Sequence, residues 1–154
     1  MRRFAALLLI ANLAGASAQS NPGGADDQRL LMGARSLFTA YLGAVAANDA
    51  GRMAALYHDA ATLTITRVNG EGQTRTLSLT GAQYKKLMRS VPLNEAPDRY
   101  LNPTFTVLKG GVVRIDTQRQ SVSRGYTAPN VFLVQADAAN RFWIVAEQGI
   151  QKVQ

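Results

Sequence analysis

Cysteine is absent from this chain of 154 residues, and histidine occurs once. Without cysteine there are no disulfides, no thiol nucleophile, no thiolate-held metal and no lipid-modified cysteine anchor. A single histidine, His58, excludes histidine-rich metal sites and histidine-paired catalytic dyads, so no metal is expected. Acidic residues are few, 10 against 17 lysines and arginines. No apolar run reaches the roughly 20 residues a spanning helix needs. The serines Ser36, Ser78, Ser90, Ser121 and Ser123 lack a nucleophile-elbow motif, and no phosphate-binding glycine loop precedes a helix. Internal repeats and low-complexity tracts are missing too, and nothing in these patterns implies a cofactor.

What is present begins with an export signal. Arg2 and Arg3 precede the apolar run Phe4–Leu13, and Ala16-Ser17-Ala18 supplies a small-x-small cleavage site before Gln19. The expected organisation is a signal peptide over 1–18, a flexible leader over 19–25 and one domain over 26–154. The expected location is the periplasm or the medium, with no membrane attachment after cleavage. Removing Arg2 and Arg3 takes the formal charge from +7 to 7 − 2 = +5. Those charges are scattered and do not interleave with aromatics, which argues against nucleic acid. A basic exterior instead favours anionic small molecules through its long-range potential.

The domain reads as helices followed by a sheet. Leu30, Ala34, Leu37, Phe38, Tyr41, Leu42 and Val45 share one helical face. This first helix runs from Asp26-Asp27 to about Ala47. Asn48-Asp49 breaks the pattern, and the Asp49 carboxylate is placed to cap a second helix expected from Ala50 to Tyr57. From Ala61 the period changes to two. Ala61–Val68 and Arg75–Thr80 form a hairpin with Leu63, Ile65, Leu77 and Leu79 inward. Thr80-Gly81 opens a third helix with Tyr84, Leu87, Met88 and Val91 on its buried face and Lys85, Lys86 and Arg89 outside. Pro92–Pro103 reads as a loop, and Phe105 and Val107 begin the next strand. Val112–Ser121 runs back, Gly125–Pro129 marks a bulge or bend, Val131–Ala136 continues, and Arg141–Ile150 closes the sheet. Helices on one face of a curved sheet make an α+β domain.

The order helix, Asn-Asp corner, helix, "LYHDAA", strand resembles the opening of the nuclear transport factor 2-like superfamily. That superfamily includes the SnoaL-like polyketide cyclases and the ketosteroid isomerases. The closing Asn140-Arg141-Phe142-Trp143-Ile144 is similar to its final strand. The resemblance implies a cone in which a strongly curved antiparallel sheet wraps the N-terminal helices and leaves a pocket at the wide end. It also implies pairing of two copies through the sheet face. It carries no activity over, because no segment matches the isomerases' carboxylate, tyrosine and protonated Asp residue by residue.

Candidate site residues follow from chemistry and strand parity. Arg119 shares parity with Val113, Ile115 and Thr117, so an unbroken strand points it inward, where a guanidinium needs a partner or an anion. Glu147 could supply that partner, although its parity matches Trp143 and Val145 rather than Phe142 and Ile144. A bulge could instead turn Arg119 to solvent. Tyr41, Tyr57, Tyr100 and Tyr126 offer apolar bodies with polar tips, suited to pocket walls or to packing. Asn130 and Gln148 could add polar contacts. His58, Asp59 and Glu147 are the candidate acid–base groups, with His58 and Asp59 otherwise a helix end and its turn. Three readings result. One is an exported, non-catalytic domain binding an amphipathic or acidic small molecule between Tyr41, Tyr57, Tyr100, Arg119, Tyr126 and Asn130. Another is a homodimeric interaction module of the cell envelope. The last is an isomerase, dehydratase or cyclase, which a buried carboxylate with a raised pKa would favour.

Overall fold

The computed structural model describes residues 24–90 and 96–153. The expected signal peptide over 1–18 and most of the expected leader lie outside the described residues, as does Val91. Three helices, α1 (Ala25–Ala46), α2 (Ala50–Ala54) and α3 (Gly81–Met88), combine with six strands. The strands are β1 (Tyr57–Val68), β2 (Thr74–Thr80), β3 (Arg99–Leu108), β4 (Val112–Ser121), β5 (Tyr126–Ala136) and β6 (Phe142–Lys152). They form one curved, unclosed sheet in the order β2-β1-β6-β5-β4-β3. The β1–β6 ladder is parallel and the others are antiparallel.

The core is the concave face of that sheet closed by α1. Leu30, Ala34, Leu37, Phe38, Tyr41 and Ala44 recur at helical spacing and are buried, the first five in one cluster with Val113, Ile115, Phe132, Val134 and Ile144. Phe38 sits at the centre of an edge-to-face aromatic array with Tyr100, Phe105 and Phe132. Asp49 caps α2 by accepting from the Arg52 N–H at 2.9 Å. Thr80 and Gln83 form a reciprocal capping box on α3.

Four sequence expectations are corrected by tertiary pairing. The second helix ends at Ala54, because Tyr57 already pairs with Ile144 and the Leu56 carbonyl accepts the Ile144 N–H at 3.0 Å. The third strand begins at Arg99, inside the expected loop, since Arg99–Leu101 pair with Gln118–Gln120. Pro103 is tolerated there because β3 is an edge strand and Asn102-Pro103 form a bulge, with Asn102 at φ 52. On α3 the covered face runs Gly81, Tyr84, Lys85, Met88, so Leu87 falls off it and is 46% exposed, while Lys85 falls on it. Finally, Gly125–Pro129 is not a bulge on the β4 side, where pairing is unbroken from Val112↔Gln135 to Ser121↔Tyr126. The irregularity lies on the other side. The β5–β6 ladder stops at Asn130↔Gly149, and Pro129 has no N–H with which to extend it.

Candidate functional site

At the end of the core beyond Tyr41, polar side chains replace apolar ones on the inward files. The row Thr117, Asn130, Gly149, Ile65 is followed by Arg119 and Ala128 on β4 and β5. An unbroken β4 thus turns Arg119 inward, with its side chain 16% exposed. It is not paired with Glu147. Its Nη2 donates to the Tyr126 hydroxyl at 2.7 Å and to the Ile150 carbonyl at 3.1 Å, and its Nε lies 3.7 Å from Asp98 Oδ2.

Glu147 reaches the inward side through a bulge. Leu133 pairs with Ala146 but Val134 pairs with Ile144, so Val145 is an extra residue and the parity of β6 flips across it. Glu147 consequently joins the file of Phe132 and Leu63. Its carboxylate accepts from the Tyr57 hydroxyl at 2.5 Å and from Asn130 Nδ2 at 3.1 Å. Burial pushes its pKa above the ordinary 4.5, opposed by the Tyr57 and Asn130 hydrogen bonds and the Arg119 charge.

Tyrosines surround this carboxyl. Tyr41 and Tyr57 are core residues, and the Tyr41 and Tyr100 hydroxyls meet at 2.9 Å. The Tyr57 and Tyr84 rings pack at 4.9 Å between centroids. Burial, with Glu147 nearby, raises all four phenols well above their usual range. The tyrosines therefore fill much of the space they were expected to enclose. Tyr84, Asp98, Tyr100, Arg119, Tyr126 and Glu147 keep partial exposure on the solvent side of the cluster. A described groove of about 470 Å³ lies further out, at the end of the sheet.

Two buried side-chain atoms at this end, Arg119 Nε and Asn130 Oδ1, have no hydrogen-bond partner among the described residues. Such atoms are costly to leave unsatisfied.

The structure thus brings together Tyr41, Tyr57, Tyr100, Arg119, Tyr126, Asn130 and Glu147. It does not bring in the other candidates. Asp59 is on the surface of β1, paired with Lys85 at 2.7 Å, which holds its carboxyl below the usual range. His58 is in β1 rather than at a helix end; its Nδ1 accepts from the Ala60 N–H at 3.2 Å and its ring meets Trp143 edge-on. Gln148 takes the opposite face from Glu147, beside Val131 and Thr64. Tyr84 and Asp98 join this cluster beyond the residues that the sequence points to. The helical face containing Tyr84 was legible, whereas Asp98 had no periodic signal in a proline-rich stretch. Among the described residues no cluster of His, Asp or Glu is suited to a metal ion.

No family model matches the sequence, and no curated protein matches it. Solved structures do. A cystatin-like fold protein from Burkholderia xenovorans LB400 superimposes with a TM-score of 0.61 at 13% identity, covering 81% of this chain and 93% of that one. A nuclear transport factor 2-like protein of unknown function from Shewanella baltica OS155 gives 0.55 at 10% identity, covering 80% and 91%. ActVI-ORFA from Streptomyces coelicolor gives 0.55 at 8% identity, covering 78% and 95%. Element order, strand order and these likenesses together establish that the chain has the nuclear transport factor 2-like fold.

Proposed function

We propose that this domain binds a small amphipathic molecule at the wide end of the cone, with an acidic group of the ligand held by Arg119. The observation that supports it is the pair of unsatisfied buried atoms, Arg119 Nε and Asn130 Oδ1, beside a mouth of tyrosine rings. The guanidinium offers donors to an anion, Asn130 offers an acceptor, and Tyr84, Tyr100 and Tyr126 offer apolar area. Export before ligand encounter is part of this proposal and rests on residues 1–18 alone. The test uses two fluorescent probes of similar shape, anionic anilinonaphthalene sulfonate and uncharged phenylnaphthylamine. A charge-assisted hydrogen bond contributes about 1.5–3 kcal/mol, so Arg119→Met weakens the sulfonate by roughly one to two powers of ten. The uncharged probe loses far less. Equal losses reject the anchoring role.

A second reading rests on Glu147. A buried carboxyl with a raised pKa, hydrogen-bonded to a phenol, suits proton transfer of the isomerase, dehydratase or cyclase kind, with Glu147 as base and tyrosine as electrophile. One neighbour in structure is named a putative ketosteroid isomerase, from Parabacteroides distasonis, at 11% identity and a TM-score of 0.50. Deuterium exchange at the α-carbon of an enolisable cyclic ketone tests it. Catalysed exchange that Glu147→Gln abolishes supports the enzyme; exchange equal to buffer for the unsubstituted protein rejects it for that substrate class.

A further inference from the structure

The place where β5 and β6 part company is itself a groove. Their ladder ends at Asn130↔Gly149, so Tyr126–Pro129 on one side and Ile150–Lys152 on the other lack each other as partners. Arg119 spans part of that gap by donating to the Ile150 carbonyl. Beyond it lies the groove of about 470 Å³ lined by Arg67, Ser123, Arg124, Gln151, Lys152 and Val153. Arg67 belongs to the inward file, opposite Gln151, and gives its Nε to Gln151 Oε1 at 2.9 Å. Arg124 comes from the turn before β5, and Lys152 from the end of β6.

Arg67, Arg124 and Lys152 thus line one concavity from three separate elements, and no carboxylate side chain of the described residues lines it. Among the described residues none of the three is in an ion pair, although Arg29, Lys85, Arg114 and Arg119 each are. Like charges gathered this way repel one another unless an anion joins them. We infer that the groove binds a multiply charged oxyanion of the phosphate-ester or diphosphate class, independently of what occupies the tyrosine-lined mouth. Two guanidiniums present planar forks that match tetrahedral oxyanions, and an ammonium supplies a point charge. A monocarboxylate would offset only one of the three charges. The groove is larger than a bare phosphate, which leaves room for the organic part of an ester.

Amide shifts of isotope-labelled protein titrated with inorganic pyrophosphate at physiological ionic strength test this. Shifts centred on Ser123, Arg124, Gln151 and Lys152 are expected. The double variant Arg124→Gln, Lys152→Gln weakens binding by about tenfold or more, from the loss of two charge-assisted contacts. Both side chains are exposed, so the variant folds. The control Lys86→Gln, Arg89→Gln removes the same charge from exposed positions on and just beyond α3 and leaves binding within about twofold, the scale of screened long-range charge. Competition by glycerol phosphate identifies a soluble phosphate ester as the source. Co-sedimentation with phosphatidate vesicles that Arg124→Gln, Lys152→Gln abolishes identifies a lipid headgroup. Equal weakening of the two double variants, or shifts spread over the surface without the groove, overturns the proposal.

Discussion

The Tyr57 hydroxyl donates to the Glu147 carboxylate at 2.5 Å, joining the first residue of β1 to a residue that sequence parity placed on the opposite face of β6. This contact fixes the polar end of the core. Tyr57 is fully buried, so its hydroxyl has few alternatives. Glu147 in turn gains a donor that offsets part of the cost of burying it.

That cost sets a pH dependence. Burial raises the folded-state pKa of Glu147 above 4.5, so the folded protein holds this proton to higher pH than the unfolded chain. The stability it contributes is full below the unfolded pKa and is lost as pH rises through the folded pKa. Glu147→Gln keeps an acceptor for Tyr57 and cannot ionise. Denaturant unfolding at a series of pH values above 4.5 should show the parent losing stability relative to the variant. Parallel curves would rule out a raised pKa.

Two glycines of α1 should respond oppositely to alanine. A Cβ on Gly43 meets nothing within 4 Å, so Gly43→Ala should stabilise by about 0.4–1 kcal/mol through the unfolded chain. A Cβ on Gly33 would lie 2.1 Å from the Phe142 ring, which packs on the core. Gly33→Ala should therefore destabilise by roughly 1–3 kcal/mol despite its better helix propensity. Thermal unfolding of both variants checks the signs.

We propose that two copies pair through the convex sheet face. Val131, Leu133, Ala146 and Ile150 lie opposite the inward files, flanked by Thr62, Thr64 and Thr66. Light scattering at micromolar concentration should give a dimer that Leu133→Lys dissociates. A monomer before substitution removes this interface.

The proposed export predicts a mature chain that begins at Gln19. Amino-terminal sequencing of protein recovered from the periplasm or medium reads it directly, and an intact Met1 there refutes processing.

Much of the fold was written locally. The helical spacing from Leu30 to Val45, the Asp49 cap, the Thr80 start of α3 and the β4 bounds are set by contacts within a few residues, and each appears as read. Arg119 was legible for the same reason, because β4 carries no bulge and alternation holds along it. The rest of the site depends on extra residues in neighbouring strands. Asn102-Pro103 lets Tyr100 and Phe105, five positions apart, face inward together; Val145 does so for Ile144 and Glu147. The β5–β6 parting at Pro129 creates the basic groove, and α3's footing on Gly81 brings Tyr84 to Glu147. A bulge is decided by which partner strand a residue meets, and alternation within one strand contains no record of that partner. Local patterning is enough for the helices, most of the strands and the apolar core, whereas element ends and the polar groups that the core takes in depend on pairing between strands distant in the chain.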